Sequence, residues 1–148
     1  MNKNIRVRIC VVLIKDDKIL LIKQAKYDKE YWLTPGGGMD FGESIKDVAK
    51  REIKEETNLD IELKKFLFLW ESIYPDGGKH VLNLFFMGDI LGGELKLGGE
   101  NNLVDLKYFS FDELKDIKFY PPVIDKIIEI KNNGFNCLPE VYDPVWLP

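Results

Sequence analysis

Cysteine is scarce in this chain: 2 among 148 residues, Cys10 and Cys137. Two thiols cannot form a disulfide framework, so a reducing cytoplasm is the expected setting. Histidine is scarcer still, with His80 alone. There is no excess of positive charge. The formal net charge is −4 and the isoelectric point about 5.1, which argues against duplex nucleic acid or a polybasic membrane surface as partner. Long apolar runs are missing too. Ile9 to Ile14, the longest near the start, is far too short to span a bilayer and lacks the layout of a signal peptide, so no membrane partner is expected. Internal repeats and a dividing linker are also absent. The remainder is ordinary for a globular protein, 45% hydrophobic and 31% charged, and long enough to bury one core as a single domain over residues 1–148.

Hydrophobic patterning predicts an α/β chain. Ile5 to Ile14 reads as a strand, Lys15 to Lys18 as a turn and Ile19 to Lys23 as a second strand, together a hairpin. Gln24 to Glu30 reads as a polar loop, and Pro35 keeps Tyr31 to Thr34 extended. After three consecutive glycines, Ser44 with Asp47 marks a helix start near Ile45, and Asn58 is a plausible left-handed stop. Strand-like stretches follow at Leu59 to Ile73, in one piece or two, at Val81 to Ile90, at Glu94 to Leu97 and at Leu103 to Phe109. Ser110 to Leu114 is a second helix-start signature. Pro121-Pro122 opens a further helix, with Val123, Ile124, Ile127 and Ile128 on one face, and Gly134 stops it. The tail 135–148, with Trp146, reads as extended, either packed on the domain or contributing to a homodimer. The expected architecture is a mixed sheet with a helix on each side.

The helix after the glycines carries the chemistry. At about 100° per residue, Lys46, Asp47, Lys50, Arg51 and Lys54 fall on a solvent side, while Ile45, Val48, Ala49 and Ile53 face the protein. Glu52, Glu55 and Glu56 continue the inward arc where more Leu or Val would be expected. Three like charges at such spacing repel, and inward carboxylates need a counter-charge. A divalent cation is the simplest one, and oxygen ligands favour Mg²⁺ or Mn²⁺ over softer metals.

The glycine turn partly matches a phosphate-binding loop, since Gly37 to Ser44 fits G-x-x-x-x-G-x-S. The position that needs lysine holds Glu43, which would repel phosphate, so that reading fails. A more specific pattern fits the same residues. Five residues separate Gly37 from Glu43, seven more lead to Arg51-Glu52, and Ile53, Glu55, Glu56, Asn58 and Leu59 follow at fixed spacing. This resembles the Nudix box, G-x5-E-x7-R-E-U-x-E-E-x-G-U with U a bulky aliphatic. Every defined position matches except the last glycine, here Asn58, the usual substitute where a left-handed residue is required. The lead-in Trp32-Leu33-Thr34-Pro35-Gly36-Gly37 is also similar to the family's, and a weaker likeness in strand order extends over Arg6 to Ile130.

The resemblance implies a Nudix-type α-β-α fold and a hydrolase that cleaves the pyrophosphate of a nucleoside diphosphate linked to another moiety, with Mg²⁺ or Mn²⁺ and a nucleotide as the small-molecule partner. By the family pattern Glu52, Glu55 and Glu56 hold metal, with the Gly36 carbonyl as a further ligand. Arg51 holds a glutamate in place, and Glu43 supports the loop. Glu52 or Glu56 could be the general base, or a later acid, for which Glu100 is the candidate; a solvated loop acid is its plainer reading. His80, Arg8 and Lys23 are candidate substrate contacts, as is Arg6, although alternation sets the arginines opposite the core face and favours solvent. Trp32, Trp70, Tyr74 and Phe86 could stack on a base, and most aromatics should be core. Pro75, sixteen residues after Leu59, is placed as in ADP-ribose pyrophosphatases and tilts the substrate that way. Nucleoside triphosphates, including oxidised ones, and dinucleoside polyphosphates are the alternatives. A nucleotide sensor without catalysis is the rival of another class, opposed by the complete set of acids.

Overall fold

The computed structural model describes residues 3–26, 28–100, 102–136 and 141–142. Two apolar strands begin the chain, β1 (Arg6–Lys15) and β2 (Lys18–Lys26), joined through Asp16 and Asp17, both left-handed at φ 51° and 60°. Such a pair is the turn that matches strand twist in a two-residue hairpin. The hairpin is zipped only at that end, by Ile14 with Ile19 and Lys15 with Lys18. Beyond it the strands part. This splay makes room for a cleft.

The order continues with β3 (Lys29–Leu33), β4 (Gly36–Gly38), α1 (Ile45–Thr57), β5 (Asp60–Ile73), β6 (His80–Gly92), β7 (Leu103–Ser110), a 3-10 helix (Phe111–Asp116), α2 (Ile124–Asn132) and β8 (Val141–Tyr142). The strands align as β3-β2-β1-β6-β5-β8, with β4 on β1 and β7 on β2. β1 is parallel to β6 and β5 antiparallel to it, so the sheet is mixed, as expected.

Ile9 to Leu13 are fully buried because β1 is covered on both faces. On one face Ile9, Val11 and Leu13 meet Val48, Ala49 and Ile53 of α1. On the other, Cys10 and Val12 join Phe68 and Phe85, stacked at 4.4 Å, beneath Leu114, Ile127 and Ile130. Truncating the fully buried Ile53 to alanine would cost roughly 2–5 kcal/mol. Among the described residues no helix is long and apolar enough to cross a membrane.

Two local expectations are corrected and an open one is resolved. Gln24 to Glu30 is mostly strand, since β2 runs to Lys26 and β3 starts at Lys29, with Gln24 opposite Tyr31. Its polar residues mark a wall facing water, not a loop. Leu59 to Ile73 yields one strand with register shifts instead of two. Glu94 to Leu97 is not a strand, because its backbone bonds to the end of α1: Lys96 N–H donates to Thr57 O and Gly98 N–H to Glu56 O, each at 3.0 Å. Of the tail, Val141–Tyr142 lies parallel to β5, while Cys137 and Trp146 fall outside the described residues.

Candidate active site

Helix α1 is fixed at both ends by the residues its sequence offered. Ser44 Oγ accepts from Asp47 N–H at 3.1 Å, and Asn58, at φ 63°, closes the last turn through its N–H to Lys54 O. This sets the rotation of the glutamates. Glu56 is buried, Glu52 half-buried and Glu55 exposed, a graded face where sequence suggested three inward acids.

The glycine strand β4 lies between α1 and the cleft and explains its own composition. A Cβ on Gly37 would collide with the Glu52 carboxyl group, and one on Gly38 with the Arg6 guanidinium. Gly36 N–H donates to Glu56 Oε1 at 2.7 Å. Only a strand without side chains lets the carboxylates reach past it.

Arg51 joins the loop to the helix. Its Nε and Nη2 grip Glu43 at 3.0 and 2.9 Å, and Nη1 donates to Glu52 Oε1 at 2.9 Å. Hydrogen bonding to Arg51 holds Glu43 below the usual carboxylate range, and the same fork raises Arg51. The forked geometry fixes position as well as charge.

The other glutamates are pushed the opposite way. Burial raises Glu52 against the neighbouring Arg51 charge. Burial lifts Glu56 from 4.5 to about 8, even with the Arg8 charge and the Gly36 N–H favouring its ionised form. Carboxylate oxygens of Glu52, Glu55 and Glu100 lie within 4.8 Å of one another. Such all-oxygen donors, beside an acid that burial leaves short of counter-charge, fit a hard divalent cation.

Glu52, Glu56 and Glu100 line a cleft of about 380 Å³ at the mouth of the splayed hairpin. Arg6 and Arg8 of β1, Lys26 of β2 and Lys79 before β6 bring positive charge to it. Tyr31, Tyr74 and Tyr120 give it aromatic edges, with Tyr31 and Tyr120 rings 5.8 Å apart.

The structure thus brings together Gly36, Glu52, Glu56, Arg8 and Glu100 in the cleft, with Glu55 beside Glu52 and Glu100, and with Arg51 and Glu43 behind. Two candidate contacts are turned elsewhere. Lys23 bonds Glu30 at 2.9 Å and covers Trp32, because alternation gives the cleft Gln24 and Lys26 instead. His80 Nε2 sits 2.6 Å from Glu71 Oε1, on the strand face opposite Val81 and Asn83. Arg6 is exposed, as expected, while the half-buried Arg8 corrects the solvent expectation. They share the Cys10 face, which is core at one end of β1 and cleft at the other; Arg8 donates to Cys10 Sγ and to Thr34 O. Of the four stacking candidates only Tyr74 lines the cleft; Trp32 packs on Phe109 and Phe86 on Phe66. Lys26, Lys79, Tyr31 and Tyr120 were missed. For Lys26 the period-2 spacing with Gln24 was the available signal, while Tyr31 reaches the cleft as the cross-strand partner of Gln24.

Clustered carboxylates and cations lining one open cleft make a site for hydrolysing phosphoric anhydrides with a divalent metal. A family model for the NUDIX domain matches residues 4–129. The chain belongs to the Nudix family and is a metal-dependent Nudix pyrophosphohydrolase. It is 38% identical over 116 residues to an ADP-ribose pyrophosphatase of Methanocaldococcus jannaschii, covering 74% of this chain and 69% of that one. It is 31% identical over 141 residues to an RNA pyrophosphohydrolase of Pelagibacter ubique, covering 88% and 85%. The crystal structure of an ADP-ribose pyrophosphatase from Streptococcus suis superposes with a TM-score of 0.71 at 25% identity, covering 92% of this chain and 96% of that one.

Proposed function

We propose that this pyrophosphohydrolase acts on nucleoside diphosphates linked to another moiety, of the ADP-ribose type, with Mg²⁺ or Mn²⁺. The observation that carries the reading is the packing of Glu52, Glu55 and Glu100 oxygens within 4.8 Å, next to buried Glu56 and at the cleft that Arg8 also lines. The tilt toward ADP-ribose draws on the Methanocaldococcus relative and the Streptococcus structure.

Glu52, Glu55 and Glu56, with the Gly36 carbonyl, are the residues that would hold the metal. When bound, the metal neutralises the diphosphate and lowers the pKa of attacking water. Arg8 pairs with the phosphates in that cleft. Glu100, exposed and outside the helix, accepts the proton from water as it attacks phosphorus. Arg51 and Glu43 are positioning residues: the fork keeps Glu52 turned toward the cleft and the glycine loop tied to the helix. Tyr31, Tyr74 and Tyr120 offer their rings to the nucleoside. A cytoplasmic, reducing setting agrees with Cys10, a free and buried thiol.

The test is a nucleotide panel with Mg²⁺, comparing wild type with Glu56→Gln. ADP-ribose should yield AMP and ribose 5-phosphate, and the variant should lose about 100-fold or more in kcat. Tight nucleotide binding with no turnover, unaffected by the substitution, would instead make the chain a sensor. Pyrophosphate release from a triphosphate with ADP-ribose inert would overturn the substrate choice.

A further inference from the structure

We infer that Arg6, Lys26 and Lys79 form a second anion subsite, taking a phosphate of the substrate other than the two in the bond that is cleaved. The inference rests on the hydrolase reading above and narrows its substrate class.

Alternation along three strands places these residues as an outer rank. Arg6 is the next cleft-facing residue outward from Arg8 on β1, Lys26 from Gln24 on β2, and Lys79 from Val81 at the start of β6. Arg6 and Val81 are opposite in register, so the Arg6 and Lys79 positions adjoin. One pleat step of two residues is about 6.5–7 Å. Arg6 and Lys26 therefore stand one such step outward of Arg8 and Gln24, and Lys79 a second step, since Arg8 pairs with Asn83 and Arg6 with Val81.

The charges here are concentrated on one stretch of the cleft. The Lys26 amine neighbours that of Lys79. That contact first, then burial and the Lys26 and Arg6 charges, hold Lys79 below the usual lysine range. Among the described residues neither Arg6 nor Lys79 has a carboxylate partner within ion-pair distance. Asp76, the acid that offsets Lys79, spends an oxygen on Gly78 N–H at 2.7 Å. The Tyr74 ring, 5.5 Å from Lys79 Nζ, holds the ammonium toward the cleft. Two amines and a guanidinium lining one stretch of the cleft are complementary to a dianionic phosphate, whose three free oxygens can each accept from one of them.

That phosphate could be a third in a polyphosphate chain or an ester on the nucleoside ribose. Steady-state kinetics on ADP-ribose, ADP-ribose 2′-phosphate and ATP separate the two sources. The wild type should show a lower KM for at least one phosphate-bearing substrate than for ADP-ribose. Lys79→Gln and Lys26→Gln should shrink that KM advantage by about tenfold or more, with the ratio of kcat values unchanged, and Lys79→Arg should retain it. No advantage in the wild type, or an equal KM change on all substrates, overturns the subsite. A second readout is independent of turnover: calorimetric binding of inorganic phosphate to EDTA-treated protein, weakened by Lys79→Gln. If nothing is hydrolysed yet this binding holds, the hydrolase reading falls and the subsite stands. If hydrolysis proceeds but phosphate binds wild type and variant alike, the subsite falls.

Discussion

The Asn58 side-chain amide donates to the Glu94 carbonyl oxygen at 2.7 Å, from a residue whose own left-handed backbone closes α1. With Lys96 N–H on Thr57 O and Gly98 N–H on Glu56 O, it lays the segment after β6 along the helix end. The approach at Gly98 is so close that a Cβ there would strike the Glu55 carbonyl. The segment then delivers Glu100 to Glu52 and Glu55. The single departure from the box is thus a tether for an acid outside it.

Asn58→Gly separates the two roles, since glycine keeps the left-handed turn without the amide. Losing one such hydrogen bond costs about 0.5–1.5 kcal/mol. Because Glu100 is what the tether positions, kcat should fall roughly 3- to 10-fold. The midpoint of thermal unfolding should barely move, because glycine relieves the strain of the left-handed residue. Asn58→Ala loses the tether and keeps the strain, so it should be the less stable of the two. Thermal melts beside steady-state rates on both variants check this; equal activity of Asn58→Gly and wild type would remove the tether from the mechanism.

How much of this was legible depends on how local the cause was. Ser44 and Asn58 bracket α1 through bonds within one turn, so the helix and its acidic face could be read directly. The continuous apolar run in β1 likewise marked a strand, though only the structure shows cover on both of its faces. Gln24 to Lys26 misled because strand pairing with Tyr31 outweighs polar composition. Glu94 to Leu97 misled because its partners are carbonyls some forty residues earlier in the chain. Arg8 of β1 misled for a geometric reason: alternation assigns a face, and this face changes from core to cleft along one strand. Gathering Lys26 and Lys79 in one cleft needed the hairpin splay, which no local pattern encodes.

Arg51→Lys tests the fork. Lysine keeps the charge but cannot bond both Glu43 oxygens and Glu52 at once. Glu52 is then free to turn, so the Mg²⁺ concentration for half-maximal activity should rise about tenfold, with a smaller change in substrate KM. A Mg²⁺ titration of the initial rate measures it. An unchanged Mg²⁺ requirement would show that the fork serves the fold alone.

Gly37→Ala introduces a Cβ into the Glu52 carboxyl group, the flexible end of a side chain that can move aside. The fold should survive and the metal site should not: activity should drop about 10- to 100-fold while thermal stability in EDTA changes little. At Gly36 an added Cβ meets the Ile9 carbonyl oxygen, and φ is 151°, so Gly36→Ala strikes backbone and should destabilise as well. Circular dichroism melts in EDTA, set beside rates in Mg²⁺, distinguish the two outcomes. Full activity of Gly37→Ala would mean that Glu52 does not need its observed position.

Glu56 gives the metal-free protein a pH-dependent stability whose sign follows from its burial. Its carboxyl is lifted to about 8 in the folded chain, against 4.5 as its ordinary value. Between those values the folded form holds a proton that the unfolded form releases. The contribution to stability is therefore complete below pH 4.5 and is lost as pH rises toward 8. One pKa unit is worth about 1.4 kcal/mol, so raising the pH from about 5.5 to 8.5 in EDTA should cost on the order of 2–4 kcal/mol. Glu56→Gln stays neutral and should flatten that slope, leaving the variant more stable than wild type at the alkaline end though inactive. Mg²⁺ supplies the counter-charge that ionised Glu56 needs, so its stabilising effect on wild type should grow over the same interval and be weaker in the variant. Urea unfolding at both pH values, with EDTA and with Mg²⁺, gives all four quantities. The same slope in wild type and Glu56→Gln would assign the pH dependence to other groups and leave Glu56 an ordinary carboxylate.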